Sequence, residues 1–471
     1  MFAEKLEKVE KNKTYRVEIS DLTEDGQGIG KIDGFVVFVE GAIPGDLVEA
    51  KIIKVNKSRC YGKLEKIIAP SQSRVVPSCK YSKKCGGCPL MSMEYGAQTE
   101  HKRNTIINCL ERIGKIAKAD KITKETITMQ NEKEGPYHYR NKAQFPVKKN
   151  ALHKGADIGF FSKRSHDVID IHSCAVAHKS TDKILAVFKK FLNDSQKKIL
   201  PYDETSHTGH IRHIFTRAGF ASGELMVCIV INGDALPNGP ELGKLTSELS
   251  AIENMASIML NINKDKTNVI LGDKNKLLWG KDHIIDYIGD KKFKISANSF
   301  YQVNPAQTKK LYDTVLKYAG EGEECIDAYC GIGTISILLS PRFKKIYGIE
   351  VVPQATENAS ENAKLNCITN TEFLTGKSEE IIPELTAGRE PFDLIVVDPP
   401  RKGCDPKLIS CIAESKAKKL IYVSCDPATL ARDIKSLTDG GAYELEEVTP
   451  VDMFPHTMHI EAVALLCLRR E

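Results

Sequence analysis

Two stretches near the carboxyl end of the sequence place reactive side chains directly after apolar runs. Asp398 follows the run from Leu394 to Val397, and Cys425 comes shortly after the run from Leu420 to Val423. Short runs of branched residues that end in turn-forming sequence are typical of buried parallel strands. Because ligands of open α/β sheets gather at the carboxyl ends of the strands, we expect both side chains to face one crevice.

Cys425 is the candidate nucleophile. A thiol with the ordinary pKa of about 8.5 is only a few per cent thiolate at neutral pH. The sequence Asp426-Pro427 predicts a helix start, and a helix amino terminus stabilises a thiolate, although the carboxylate of Asp426 opposes this effect. The alternative is a small, buried, apolar cysteine. The position of Cys425 at a strand end favours a chemical role.

Length and composition predict a multidomain globular protein. The chain has 471 residues, of which 41% are hydrophobic and 27% charged. No apolar run approaches the length of a membrane span, and the charged start MFAEKLEKVEKNK lacks the apolar core of a signal peptide, so we expect a cytoplasmic protein with no membrane partner. The net charge of +5 permits an anionic partner. We expect the 14 cysteines to be thiols or metal ligands.

Residues 7–68 have the pattern of a small β-barrel. Alternating apolar residues, frequent glycines and a turn at Pro44-Gly45 predict about five strands with an OB-like arrangement. Basic barrels often bind nucleic acid through backbone charge and stacking, but a solvated face explains the charges equally well. The basic residues of this segment are Lys51, Lys54, Lys57, Arg59 and Lys63.

The segment SCKYSKKCGGCPLM places Cys79, Cys85 and Cys88 around two glycines. Zinc and iron–sulfur centres usually take four ligands, so three local thiolates need a fourth. Cys174 is the natural candidate, with His172 and His178 as rivals. The thiolates alone suit both kinds of centre.

Residues 69–285 form the predicted central region, of mixed α+β character. Within it, GPYHYRNKAQFPV mixes aromatic and cationic groups that suit bases and phosphates, although an ordinary strand with a polar face has the same pattern. The members of this mixture are Tyr137, Tyr139, Arg140, Lys142 and Phe145.

Residues 286–471 are predicted to form a doubly wound α/β domain. Gly331 and Gly333 lie in a turn between a strand and a helix, with Ser336 at the third glycine position of a nucleotide fingerprint. Glu350 ends the next strand, where a carboxylate can accept from ribose hydroxyls. A nicotinamide cofactor and S-adenosylmethionine both fit this pattern. The turn Asp398-Pro399-Pro400 favours the second, because its acidic residue can face a base or a sulfonium.

The motifs together carry a resemblance that covers essentially the whole chain. DAYCGIGT, GIE, VVDPPRKG, YVSCDPATLARD, SFYQVNPAQ and DMFPHTMHIEAVALL resemble the RNA uridine-5-methyltransferase family, and the small barrel resembles a TRAM domain. The chain therefore looks like an S-adenosylmethionine-dependent RNA (uracil-5-)-methyltransferase.

The resemblance implies roles for six residues. Cys425 would add to C6 of uracil to make C5 nucleophilic, because covalent catalysis turns one difficult step into two easier ones. Glu461 would remove the C5 proton, with His456 and His459 as chemical alternatives. The residues that would hold S-adenosylmethionine are Gln302, Tyr329, Glu350 and Asp398.

The resemblance also implies a metal centre and an RNA class. Cys79, Cys85, Cys88 and Cys174 match the ligands of a 4Fe-4S cluster in the branch that modifies 23S ribosomal RNA, which favours such a cluster over zinc. We expect a monomer whose substrate is ribosomal RNA. The rivals are an enzyme with the same chemistry on transfer RNA and a non-catalytic RNA-binding or assembly protein.

Overall fold

The structure is a computed structural model that describes residues 9–150, 155–194, 199–237 and 240–469. The first residues of the charged amino-terminal stretch, 1–8, lie outside the described residues. Two compact units emerge. The first comprises residues up to Lys102 with Ser162–Ser165 and Phe454–Met458, and the second comprises Arg103–Phe161, His166–Met453 and the residues from His459 onward. No helix in the described ranges is long and apolar enough to cross a bilayer.

The first unit is built on a closed five-stranded barrel. Residues along each strand alternate between the inside and the outside of the barrel, and the inward-facing ones form its core. Among them, Val37, Val39, Val48 and Ala50 are fully buried. A Cβ at Gly30 would lie 2.5 Å from the carbonyl oxygen of Glu18, so only glycine fits that crossing. The order is β1-β2-β3-β5-β4. The strands are β1 (Thr14–Leu22), β2 (Gly28–Ile32), β3 (Phe35–Glu40), β4 (Leu47–Val55) and β5 (Arg59–Ala69).

The predicted small barrel is thus confirmed, and its basic residues lie beside aromatic rings. The ammonium of Lys54 lies 5.9 Å from the centre of the Tyr61 ring, and the guanidinium of Arg59 lies 5.9 Å from the centre of the Phe38 ring. Such pairs present flat rings and positive charge together on the barrel surface.

A seven-stranded sheet forms the core of the region after the barrel. Its order is β12-β11-β10-β9-β6-β7-β8; β10 and β11 pair in parallel, and the other described neighbours pair antiparallel. The predicted hairpin in IGFFSKRSHDVIDI is β7 with β8. The elements are α1 (Tyr95–Arg112), α2 (Ala119–Ile122), β6 (Lys142–Lys149), β7 (Ala156–Phe161), β8 (Val168–Asp170), α3 (Ser180–Asp194), β9 (Ile211–Ala218), β10 (Leu225–Ile231), α4 (Pro240–Ser250), β11 (Met255–Ile262) and β12 (Lys274–Gly280).

A short hairpin and a helix lead into the last sheet. The hairpin is β13 (Ile284–Ile288) with β14 (Lys291–Ile295), and the helix is α5 (Pro305–Ala319). Asn304 caps α5 by accepting from the N–H of Gln307, and Pro305 occupies the first turn, as the sequence Asn304-Pro305 predicts.

The last sheet has seven strands in the order β17-β16-β15-β18-β19-β21-β20. The first five run parallel, and β21 runs antiparallel to β19 and β20. The elements are β15 (Gly322–Ala328), α6 (Thr334–Leu339), β16 (Phe343–Glu350), α7 (Pro353–Leu365), β17 (Thr371–Thr375), α8 (Ser378–Thr386), β18 (Leu394–Val397), α9 (Pro406–Ser415), β19 (Lys419–Ser424), α10 (Pro427–Asp439), β20 (Tyr443–Val451) and β21 (Glu461–Leu468).

This arrangement confirms the predicted doubly wound sheet with an edge hairpin. Helices α5, α6 and α7 contact one another in one row, α8, α9 and α10 in another, and both rows pack against the strands. All four residues of β18 are buried, as expected for a strand covered on both faces. The strand order reverses between β15 and β18, which is where ligands of such sheets bind.

The loop after β18 is tied to helix α10 by one buried carboxylate. Asp433 accepts from the backbone N–H of Cys404 (2.8 Å), the hydroxyl of Tyr422 (2.7 Å) and the Nε of Arg432 (2.8 Å). Arg432 in turn donates to the carbonyl of Lys402 at 3.0 Å. These bonds fix the segment between Asp398 and Cys404 against the helix that follows Cys425.

Replacing Asp433 by alanine tests this connection. The change strands two buried donors, the Tyr422 hydroxyl and the Cys404 N–H, so we expect a loss of at least about 2 kcal/mol in the free energy of unfolding. Asp439→Ala in the same helix removes only a surface pair with Lys435, so it should cost less than about 0.5 kcal/mol. Denaturant unfolding of the full chain measures both, and equal midpoints for the two variants would contradict the role of Asp433.

Candidate active site

Cys425 lies between the end of β19 and the first turn of α10. The side chain of Asp426 accepts from the backbone N–H of Ala428 (3.0 Å) and of Thr429 (2.9 Å), and Pro427 begins the helix. The predicted cap is therefore confirmed. Cys425 is partly exposed, so its sulfur is held at the mouth of the sheet rather than in the core.

Two predicted acidic residues flank this thiol on the neighbouring strands. Asp398 follows β18, which is paired in parallel with β19. Glu461 begins β21 and is 4% exposed, and its neighbour Ala462 is the register partner of Ser424. Both carboxyl groups act electrostatically on Cys425. The structure thus brings together three residues that the sequence separates by up to 63 positions.

The electrostatics of the thiol differ from the sequence-based expectation. Burial, followed by the charges of Glu461 and Asp398, raises the pKa of Cys425 to about 11, while Arg401 opposes the rise. Desolvation and the two nearby carboxyl groups oppose the stabilisation of the thiolate that we expect from the helix amino terminus. The thiol is therefore protonated at neutral pH.

Arg401 is a site residue that the sequence reasoning missed. It lies in the loop after Asp398, and its charge lowers the pKa of both Cys425 and Glu461 against the larger effect of burial. Its Nη2 donates to Nε2 of His459 at 3.2 Å. The VVDPPRKG motif contained it, and the signal was a cation three residues after Asp398, the acidic residue predicted at the strand end.

The two histidines named as alternative bases, His456 and His459, belong to different compact units. His459 accepts from Arg401, as described above. His456 belongs to the first unit, where its backbone N–H donates to Oε1 of Gln98 (3.0 Å) and its Nδ1 lies 3.2 Å from Gln98 Nε2. These contacts give His456 a structural part within that unit.

The glycine turn between β15 and α6 has the geometry expected of a close backbone approach. Gly331 has φ +55° and Gly333 has φ +81°, and a Cβ at Gly333 would lie 3.0 Å from Ala359 and from Phe373. Tyr329 precedes this turn with φ +73°, an uncommon value for a bulky residue. Strain of this kind is characteristic of functional sites.

Ser336 stands where the fingerprint has its third glycine, and the structure gives it a bonding role. Its Oγ and its N–H both donate to Oδ2 of Asp327, at 2.6 and 2.9 Å. The other oxygen of Asp327 is buried with no hydrogen-bond partner among the described residues. Burial, with a contribution from Glu350, raises the pKa of Asp327 to about 6. The sequence reasoning missed Asp327, although it opens the motif DAYCGIGT.

Glu350 ends β16, and its carboxylate accepts hydrogen bonds from the glycine turn and from the residues just after β16. Its Oε2 accepts from the N–H of Gly331 at 3.1 Å, and its Oε1 accepts from the N–H of Val352 at 2.9 Å. A carboxylate has about four lone-pair sites, so each oxygen keeps one for a further donor.

Gln302 lies in a buried segment just before α5. It is 6% exposed, and its carbonyl accepts from Nδ2 of Asn141 at 2.9 Å. Two residues earlier, Phe300 is 67% exposed. An exposed ring beside a buried polar residue was not predicted from the sequence.

The acidic residues of this site form one connected group. Asp327 acts on Asp398, and Asp398 acts on Glu461. Burial and this mutual repulsion raise the pKa of both Asp398 and Glu461. Such a crevice favours a cation or a proton.

The predicted metal ligands are not assembled in the described residues. Cys79 acts electrostatically on Cys85, whose sulfur accepts from the N–H of Gly87 at 3.5 Å. Cys88 belongs to the same unit, and Cys174 belongs to the other. Within the described ranges, no three His, Cys, Asp or Glu side chains are grouped so that they could hold a metal ion.

Family models match an amino-terminal and a carboxyl-terminal part of the chain. Residues 8–64 match the TRAM domain, and residues 245–469 match the tRNA (Uracil-5-)-methyltransferase family. The first match coincides with the closed barrel. The second contains Gln302, Asp398, Cys425 and Glu461.

Similar proteins cover nearly the whole chain. An uncharacterized RNA methyltransferase of Clostridium acetobutylicum is 48% identical over 466 residues, which are 98% of this chain and 99% of that protein. One of Halalkalibacterium halodurans is 46% identical over 463 residues, 98% of each chain.

A solved structure agrees with them. The tRNA (uracil-54, C5)-methyltransferase of Pyrococcus abyssi, in complex with S-adenosyl-L-homocysteine, has a TM-score of 0.76 and 29% identity, and the match covers 96% of this chain and 99% of that one. With the family models and the full-length relatives, this places the chain in the RNA uridine-5-methyltransferase family, as an RNA methyltransferase with an amino-terminal TRAM domain.

Proposed function

We propose that this protein transfers a methyl group from S-adenosylmethionine to C5 of uracil in RNA through a covalent adduct with Cys425. The observation that carries the proposal is the convergence of a thiol, two carboxyl groups and a guanidinium at one edge of the last sheet, where β18 and β19 end and β21 begins. Uracil C5 is a weak nucleophile. When a sulfur adds to C6, the electrons of the C5–C6 double bond pass to O4, and the resulting enolate is nucleophilic at C5.

The raised pKa of Cys425 sets the conditions for this addition. A thiol with a pKa of about 11 is almost wholly protonated at pH 7, so it needs help to attack. Arg401 supplies a positive charge that lowers the pKa of Cys425. A guanidinium that acts in this way stabilises anions such as the thiolate and the enolate, which is the larger part of many enzymes' catalysis.

The acidic crevice suits a cationic methyl donor. When bound, S-adenosylmethionine supplies an electrophilic methyl group on a sulfonium. Burial and mutual repulsion raise the pKa of Asp398 and of Glu461, and a bound cation would relieve that repulsion by favouring the ionised carboxylates. Glu350 keeps lone pairs for ribose hydroxyls, Gln302 supplies an amide, and Tyr329 lies at the turn that approaches the nucleoside.

Glu461 is our proposed base for the last step. After C5 has accepted the methyl group, its proton must leave so that the electrons can expel the sulfur. A carboxylate whose pKa is raised by burial binds a proton more strongly than one in water, so Glu461 in its ionised form is a stronger base. Arg401 next to it favours that ionised form.

Different observations favour different classes of RNA substrate. The cysteine pattern of the sequence favours 23S ribosomal RNA. Against this, the Pyrococcus protein is a transfer-RNA enzyme, and its match covers 96% of this chain, so a barrel joined to the catalytic domain is not specific to ribosomal RNA. We keep ribosomal RNA as the proposal, with transfer RNA as the second candidate.

Three further expectations from the sequence stay predictions. They are the monomeric state, the cytoplasmic location and the domain limits 7–68, 69–285 and 286–471.

The 4Fe-4S cluster also stays a prediction that rests on the sequence. The spacing of Cys79, Cys85 and Cys88 about two glycines supports it, and so does the proximity of Cys79 to Cys85. The described geometry does not gather four ligands. No step of methyl transfer requires an electron, so a cluster here would hold segments together.

Covalent trapping tests the catalytic roles. RNA that contains 5-fluorouracil cannot lose its C5 substituent as a proton, so wild-type protein should form a stable adduct, visible as a shifted band in denaturing gels. Cys425→Ala should abolish the band. Glu461→Gln should keep it while turnover on normal RNA falls about 10²–10⁴-fold.

Matched controls sharpen this experiment. Cys411→Ala removes a partly buried thiol from α9 and should trap like wild type. Because the thiol pKa is raised, the rate of trapping should increase with pH between about 6 and 9. A Cys425→Ala protein that still trapped the RNA would defeat the assignment.

Mapping of 5-methyluridine decides the RNA class. Mass mapping of ribosomal and transfer RNA from cells with and without the gene should show one or more sites lost, and we expect them in 23S ribosomal RNA. Complementation with Cys425→Ala is the control that ties the loss to catalysis. Loss confined to transfer RNA would favour the second candidate, and no loss in either RNA would contradict the proposed function.

Anaerobic purification tests the cluster. We expect about four iron and four sulfide per chain and a broad absorption band that Cys85→Ser removes, since [4Fe–4S] clusters are held by four thiolates. Cys367→Ser, which changes an exposed cysteine outside the predicted set, should leave the iron content unchanged. Protein that retains full methylation and contains zinc instead, or no metal, would contradict the cluster.

A further inference from the structure

Lys142 is a partly buried cation whose charged neighbours are also cations. It begins β6 and is the register partner of Arg217 on β9. Partners in an antiparallel pair project from the same face of the sheet, so the two side chains are adjacent. Arg140, two residues earlier, also acts on its charge.

Among the described residues, the charges that act on Lys142 are those of Arg217 and Arg140, and no carboxylate is one of the causes of its pKa shift. Burial, followed by the charges of Arg217 and Arg140, lowers the pKa of Lys142 to about 8. An adjacent carboxylate would have the opposite effect, since it would favour the ammonium form. Lysine is rarely buried unless it is paired, so an unpaired one calls for a ligand.

Arg217 is likewise a buried cation, and it donates hydrogen bonds to uncharged carbonyl oxygens. It is 3% exposed, and its guanidinium donates to the carbonyl oxygens of Ser296 (3.1 Å) and Ser299 (2.9 Å). Its Nε is buried with no hydrogen-bond partner among the described residues. Carbonyl oxygens orient the guanidinium but leave its charge unneutralised.

Asp286, an acidic residue that acts on the neighbour Tyr301 of Arg217, is already engaged in hydrogen bonds. Asp286 accepts from the backbone N–H of Phe220 (3.1 Å) and of Ala221 (2.9 Å), and it acts on Tyr301, which in turn acts on Arg217. Asp286 therefore holds a turn. The three cations keep a net positive charge that an external anion could neutralise.

These cations lie beside the segment proposed to hold the methyl donor. Ser296 and Ser299, which Arg217 contacts, precede Gln302 in that segment. Asn141, next to Lys142, donates its backbone N–H to the carbonyl of Val303 (2.8 Å) and its Nδ2 to the carbonyl of Gln302 (2.9 Å). The exposed ring of Phe300 belongs to the same segment.

We propose that Lys142, with Arg140 and Arg217, forms a binding site for a backbone phosphate of the RNA close to the target uridine. This inference rests on the proposed function, because it needs RNA at the catalytic crevice. Phosphate contacts position a nucleic acid without reading its sequence, and lysine and arginine make most of them. A base that leaves its stack would need such a fixed point beside it.

The carboxylate of the methyl donor is the other anion that could reach this segment. The amino-acid end of that donor carries its own ammonium, so its net charge there is zero. A phosphodiester has no internal counter-charge, and it matches a set of three cations better.

Salt-dependent RNA binding tests the site with Lys142→Gln. The probes are unmodified transcripts of a transfer RNA and of 23S ribosomal RNA, measured by filter binding without methyl donor, so that the outcome does not depend on methylation. We expect affinity to fall about tenfold or more, as for a lost charged hydrogen bond. The slope of log K against log salt should fall by about 0.7–0.9, the value for one phosphate.

Three further variants complete the design. Lys142→Arg keeps the charge and should restore most of the affinity. Arg140→Gln changes a partly exposed residue and should lower the RNA affinity in the same way. It therefore serves as the test if Lys142→Gln does not fold. Lys344→Gln removes the same charge from β16, where Lys344 forms an exposed surface pair with Glu323 of β15, and should bind like wild type.

Two outcomes would overturn the site. Folded Lys142→Gln and Arg140→Gln proteins with the wild-type salt slope would show that no phosphate is bound there. Weaker binding of S-adenosylmethionine in equilibrium dialysis, with RNA affinity unchanged, would assign the cations to the donor's carboxylate. Failure of the proposed function looks different, because wild-type protein would then not trap 5-fluorouracil RNA, whatever its salt slope.

Discussion

The desolvation of acidic side chains at the ends of β15 and β18 and at the start of β21 is the constraint on which the site depends. Asp327, Asp398 and Glu461 come from distant parts of the chain, and the sheet holds them where water cannot neutralise their repulsion. Each holds its proton more strongly than it would in water. The crevice is thus prepared to take up positive charge, whether as a proton or as a cationic donor.

The thiol shares this environment, and this changes how its activation must be understood. A helix amino terminus alone would favour the thiolate, but Cys425 lies between two carboxyl groups that disfavour it. Arg401 is the group that opposes them. Binding a cation in the acidic crevice would remove part of the repulsion, so occupation of the donor site and activation of the nucleophile would be coupled through charge.

Charge is segregated within the second unit. Carboxyl groups gather at the strand ends around Cys425, whereas Arg140, which precedes β6, Lys142 of β6 and Arg217 of β9 gather beside the segment that leads to Gln302. A reaction that joins a cationic donor to a polyanionic substrate needs both kinds of surface. The buried guanidinium of Arg217 also orders the segment between them, because it donates to two of its carbonyls.

The sequence by itself determined the local features of this protein. The barrel, the capped starts of α5 and α10, the glycine turn and the strand-end positions of Asp398 and Cys425 all follow from short-range chemistry: alternation, proline and asparagine at helix starts, and glycine where φ is positive. Only the tertiary structure decided what depends on distant pairing. It brought Glu461 close enough to act on Cys425, raised the pKa of that thiol, brought the charge of Arg401 to bear on both groups and set Lys142 opposite Arg217. Electrostatic interactions and desolvation depend on neighbours in space, and a local pattern in the chain does not contain them.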